Sequence, residues 1–235
     1  MPGGCRGESA GCGHRAAPAS LEKKMTPPET LPAQLFLLAF DLRRGKLTGR
    51  GELGLMLRAA ALADLVLSGH LTDEAGNAVA SGRPPEDLVL RAVFEEVSQV
   101  PGRSWRRWVG RGKRAMVGAV RDQLAGARVV GAEQTRVLGL FPYTRVTVKD
   151  TRAARRVADQ VGRAIRGGQP VNRVDAPVAA LAALAAAGEL RVVAGGGERR
   201  QYRDRLRELG SRIDPIPAAL RRAVKAQHAA AASSG

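Results

Sequence analysis

The stretch Leu53–Leu67, LGLMLRAAALADLVL, is apolar on almost every side, with only Arg58 and Asp64 interrupting it. A helix hydrophobic all round has no face to turn to water, so it is buried and other elements must be packed around it. Arginine is almost never fully buried without an anionic partner. Two partners meet that demand: a carboxylate of the same chain, with Asp64, Glu86, Asp87, Glu95 and Glu96 close in sequence, or a phosphate carried by a ligand. The first is the commoner solution.

Around this helix the chain reads as mainly α. Residues 1–28 are rich in Gly, Pro, Ser and charge and show no periodicity, which predicts a disordered tail. LPAQLFLLAFDLRRGKL, from Leu31, is a short apolar helix or strand ending in a basic turn. Gly76 to Pro85 reads as a loop. Glu86 to Val100 places Leu88, Val89, Ala92, Val93 and Val97 at helical spacing before Pro101. Further helices are predicted at Thr151 to Arg166, at about Asp175 to Ala187, and from Pro217 on, with 230–235 as a C-terminal tail. RVVAGGGERR reads as a flexible connection, since it lacks the lysine and Ser/Thr of a phosphate-binding P-loop.

Charge narrows the partners. Thirty-eight basic against 22 acidic residues give +16, a surplus that favours nucleic acid or an anionic membrane surface. Ser104 to Ala127 carries much of the signal. As one helix it puts Trp105, Trp108, Val109, Met116, Val120 and Leu124 on one face and Arg107, Arg111, Arg114 and Arg121 on the other. Asp122 is the only acid between Arg103 and Arg128, so this stripe cannot neutralise itself. ARVVGAEQTRVLGLFPYTRVTV then reads as a hairpin with its turn near Gln134, and Leu138, Leu140, Phe141 and Tyr143 are too apolar for an idle exposed tip.

Several function classes fall away. Aromatics make up 3% of the chain, too few for a base-stacking surface. Cys5, Cys12 and His14 lack a fourth ligand for zinc, and no metal or cofactor is expected. His14, His70 and His228 are scattered and suggest no general base, so no enzyme is expected. No uninterrupted apolar run is long enough to span a membrane.

A weak repeat runs through the chain. Leu62, Leu65, Gly69 and Leu71 share the spacing L-x2-L-x3-G-x-L with Leu181, Leu184, Gly188 and Leu190, and Leu124 and Val130 keep a degenerate copy. Each copy predicts a helix, a glycine cap and an extended residue. LMLRAAALADLVLSGHL, AVRDQLAGARVVGAE, RVLGLFPYTRVTV and DAPVAALAALAAAGEL, in this order, resemble the Golgi phosphoprotein 3 family in its bacterial members, from about Leu31 to Ala229. The resemblance implies a single mainly α-helical domain over residues 29–229 with short β-hairpins. It further implies a peripheral membrane protein that recognises phosphatidylinositol 4-phosphate or another anionic phospholipid and reversibly associates with the cytosolic face of a membrane, with an adaptor role toward client proteins.

On that pattern Arg58 and Arg114 match headgroup-binding arginines, with Arg50, Arg111 and Lys113 adding charge nearby. Val137, Leu138, Leu140 and Phe141 match an apolar hairpin that enters the bilayer and offers a route to self-association. Gly49 and Val117 stand where the family carries Trp and Arg. The competing reading is a winged-helix-like DNA-binding protein that uses the basic helix at 104–126, its arginines on backbone phosphates.

Overall fold

A computed structural model describes residues 29–137 and 141–233. The expected tail at 1–28 and the hairpin residues Leu138 and Leu140 lie outside these residues. The chain runs α1 (Leu31–Leu38), β1 (Phe40–Asp41), β2 (Lys46–Leu47), α2 (Leu53–Leu67), β3 (Leu71–Glu74), β4 (Asn77–Ala80), α3 (Leu88–Gln99), α4 (Trp105–Gly110), α5 (Lys113–Gly126), β5 (Val130–Val137) and β6 (Phe141–Val148). It continues through α6 (Thr151–Arg166), α7 (Ala176–Ala187), α8 (Gly196–Gln201), α9 (Arg203–Leu209) and α10 (Ile216–Ala232). Each pair of consecutive strands closes its own antiparallel hairpin, and the fold is mainly α.

The all-round apolar segment is the hub. α2 packs against α1, α3, α4, α5, α7 and α10, and twelve of its fifteen residues are buried. The second enclosed helix is α7, whose alanines allow close packing on α2. Gly188, just past α7, is needed for that approach: a Cβ there would stand 2.3 Å from Cγ and Sδ of buried Met56.

Asp64, the other charge on α2, caps a different helix. Its Oδ2 accepts the Leu31 amide at 2.7 Å, satisfying a first-turn N–H of α1 that Thr30 leaves uncapped. Burial is the main reason its carboxyl titrates above the usual 3.8, and Asp87 adds to it, while the Leu31 amide and His70 oppose the rise.

The three helix ends of the repeat share one geometry, with a correction. His70 donates to the Leu65 carbonyl, Val129 to Leu124 and Leu190 to Ala185, so each chain turns out of its helix through a left-handed residue. Those residues are Gly69, Arg128 and Glu189 (φ +78°, +59° and +58°). Gly188 is therefore not the left-handed cap but its predecessor, kept small by Met56.

Other expectations change for identifiable reasons. Ser104 to Ala127 is two helices, not one: the chain breaks at Arg111–Gly112, where Gly112 has φ +63°. α4 buries Trp105 and Trp108 against α2 and α10, so the stripe of four arginines is not continuous. Asp87 caps α3 through the Val89 and Leu90 amides and turns Leu88 outward at 73% exposure, with Phe94 buried in its stead. Four of the ten residues of the Gly76–Pro85 loop form strand β4. In β5–β6 Gln134 lies mid-strand opposite Thr144, and the register runs on to Val137 opposite Phe141. RVVAGGGERR is no mere connection, because α8 starts inside it with Glu198 accepting the Gly195 amide.

Asp64→Asn tests the cap. A carboxyl with a raised folded-state pKa contributes stability that is complete below 3.8 and lost as pH rises through the folded value. The amide keeps an acceptor for Leu31 and does not titrate. The urea midpoint of Asp64→Asn should therefore gain on the parent as pH rises through the acidic range, and a constant gap between the two would refute this account.

Candidate functional site

The site begins where α2 and α5 cross. A Cβ on Gly54 would come 2.2 Å from the Lys113 carbonyl oxygen, so only glycine permits this approach of backbone to backbone. One turn along α2, Arg58 therefore meets the α4–α5 link, its Nη1 3.9 Å from where Gly112 would carry a Cβ.

Arg58 is 3% exposed. Its Nε donates to the Trp108 carbonyl at 3.2 Å, and Nη2 and Nη1 donate to the two oxygens of Glu96 on α3 at 2.7 and 3.4 Å. The demand for an anion is thus met inside the chain, by a carboxylate. The resemblance implied a lipid phosphate in that place, and Glu96 occupies it because α3 brings its last turn over the α4–α5 link. Arg111 shares the same carboxylate, with Nε 3.1 Å from Oε2 and Cζ 5.9 Å from the centre of the Trp108 ring. Two guanidiniums on one carboxylate leave this corner at +1.

The other expected headgroup residues do not converge on Arg58. Lys113 donates to the side chain of Gln227 on α10, whose Nε2 in turn donates to the Gly51 carbonyl at 2.8 Å. His228, next along α10, is 2.9 Å from Glu52. Lys113 is thus part of a fastening between helices. Arg114 is exposed and shares a face of α5 with Val117 and Arg121, at i, i+3 and i+7. Val137 and Phe141 form the outermost pair of the described hairpin register.

Arg50 belongs to a different place, a cleft of about 340 Å³ between the β1–β2 turn, the start of α2, α5 and β6. Lys46, Arg50, Arg121 and Arg145 surround it above an apolar floor of Phe36, Leu53 and Val117, and no acid lines it among the described residues. Among the described residues Arg121 pairs with its exposed neighbour Asp122, at 2.8 Å. The sequence reading included Arg121 in its stripe but missed Lys46 and Arg145. The basic turn RRGKL signalled the first, and Arg145, alternating with buried Val146 in TRVTV, signalled the second.

Chemically, the cleft offers guanidinium and ammonium donors to an anion with several oxygens, such as a phosphate monoester or diester. The Arg58–Glu96 pair is an internal brace. Removing one member of such a pair leaves a charge short of its partner. Glu96→Ala should lower stability by about 2–3 kcal/mol, and Arg58→Met, which leaves Glu96 with Arg111, by less. Gly54→Ala should cost about 1–3 kcal/mol by forcing α2 and α5 apart. Urea unfolding of the three variants reads all these effects, and equal losses in Glu96→Ala and Arg58→Met would contradict the assignment.

A search among curated proteins finds no match. The family model described as Golgi phosphoprotein 3 (GPP34) matches residues 31–227, from the first residue of α1 to Gln227 in α10. That span includes the α2–α5 crossing and every residue of the basic cleft. The chain belongs to the Golgi phosphoprotein 3 family.

Proposed function

We propose that this protein docks reversibly on a membrane by holding anionic phospholipid headgroups in the Lys46–Arg50–Arg121–Arg145 cleft. The carrying observation is the convergence of four cations, from β2, the β2–α2 connection, α5 and β6, around one apolar-floored cavity. Exposed basic residues usually spread over a surface and alternate with acids.

The reading is physically sufficient. Each basic group near an anionic bilayer contributes on the order of 1 kcal/mol, so the cleft with Arg114 supplies about 5 kcal/mol before any insertion. Arg145 lies on the strand that begins at Phe141, and Val137 pairs with Phe141 in the same hairpin, with the apolar Leu138 and Leu140 between them in sequence. Burying such side chains adds about 1.5–3 kcal/mol each when complete. No helix among the described residues is long and apolar enough to cross a membrane. Binding of this kind is a surface association.

Val117 lines the cleft where the family carries an arginine, which replaces a bidentate donor by an apolar wall. Selection is therefore set by anionic charge and phosphate accessibility more than by the position of one phosphate on an inositol ring. Phosphatidylinositol 4-phosphate is one such lipid.

Vesicle co-sedimentation tests the proposal, with phosphatidylcholine vesicles alone or containing phosphatidylserine, phosphatidylinositol or phosphatidylinositol 4-phosphate. The protein should pellet with the anionic vesicles only, and less at higher salt. Arg121→Glu with Arg145→Glu changes the cleft by four charges and should lower partitioning by at least on the order of 100-fold. Arg58→Met should bind like the parent. Failure to pellet with any anionic vesicle, with duplex DNA retained at the same salt, would overturn the proposal in favour of nucleic-acid binding.

A further inference from the structure

A second cavity, of about 350 Å³, lies on the other side of α5, between α5 and α3. The side chains of Asp87 and Gln123 bond at one end and Glu96 meets Arg58 beside Gly112 at the other, so the two helices run antiparallel. Its rims are the stripes Leu88–Ala92–Glu96 and Ala115–Ala119–Gln123, each spaced by four. Alanine at the middle of both rims leaves the gap unfilled, and Val89, Val93 and Met116 form an apolar floor. Leu88, 73% exposed, stands at the open end.

The groove is asymmetric in charge. Eight residues of helix separate Leu88 from Glu96, a length of about 12 Å. Between its ends the lining is apolar, the near end holds the Gln123–Asp87 bond, and at the far end two guanidiniums share one carboxylate. Arg111, with its side chain 48% exposed, reaches this end of the groove through Glu96, whose Oε2 accepts from its Nε at 3.1 Å and which itself lines the cavity. A small concave apolar site with a few polar groups gathered at one end is the usual form of a ligand pocket.

We infer that the α3–α5 groove binds a single aliphatic chain with an anionic head, the chain lying between the alanine rims and the head on Arg111. With C–C bonds of about 1.52 Å at tetrahedral angles, about ten carbons span the groove. A cavity of about 350 Å³ cannot hold the two acyl chains of a phospholipid, so the ligand is a free amphiphile rather than the bilayer bound through the basic cleft. The inference is independent of the proposed membrane docking: the two cavities share no lining residue.

Titration calorimetry with monomeric octanoate, decanoate and decanol tests it on the full chain. Decanoate should bind one to one and about 15-fold more tightly than octanoate, since each buried methylene is worth about fourfold. Decanol should bind at least tenfold more weakly than decanoate, and Arg111→Gln should narrow that gap. Ala119→Trp, at an exposed rim position, should abolish saturable binding, and Ala92→Trp on the facing rim repeats the block if the first variant does not fold. Arg121→Glu with Arg145→Glu should leave decanoate binding unchanged. Absence of saturable binding, or decanoate binding that survives both tryptophans, would overturn the proposal. Equal affinity for decanol would overturn the anionic head.

Discussion

The crossing of α2 over the start of α5 at Gly54 is the contact on which the rest of the molecule depends. It brings two backbones within reach of each other, and everything of functional interest is placed relative to it. Arg58 is buried because α5 and the α4–α5 link close over it. The basic cleft exists because the same closeness sets the outer face of α5 beside the β1–β2 turn and β6. The groove toward α3 lies on the opposite flank of the same helix. A single helix thus separates a cavity rimmed by cations from one rimmed by alanines, and its residues alternate between the two according to the helical period.

What was legible in the sequence follows the range of the forces involved. An all-round apolar helix announces its own burial, and α2 is buried as LGLMLRAAALADLVL requires. The length of α6 and the end of α7 follow from local periodicity and capping. The carboxylate that neutralises Arg58 is one of five acids close to it in sequence, because a charge inside a core demands an opposite one. Choosing Glu96 from the five needed the third dimension.

The failures have the same origin. Read alone, Ser104 to Ala127 satisfies a continuous amphipathic helix, yet the chain breaks at Gly112, and α4, with Trp105 and Trp108 buried, packs against α2 and α10. Leu88 fits a core position by spacing, yet the cap made by Asp87 fixes the helix rotation and turns it outward. Lys46 and Arg145 sit ninety-nine positions apart, and no pattern along the chain could join them with Arg50 and Arg121 into one cleft. A site made from separate elements is a property of the fold, and the resemblance to a family carried the functional reading further than periodicity did.

The bond from Gln227 to the Gly51 carbonyl spans 176 residues of sequence and fastens the backbone next to Arg50. The same Gln227 holds Lys113 at the start of α5, and His228 meets Glu52 at the start of α2. Contacts so distant along the chain form late, since the loop they close must first be ordered. In a protein made from its N-terminus, α2 and α5 emerge long before α10. The bond that fastens the backbone beside Arg50 therefore forms only when the last helix has left the ribosome, whereas the nascent chain already carries all but three of its basic residues before that helix begins.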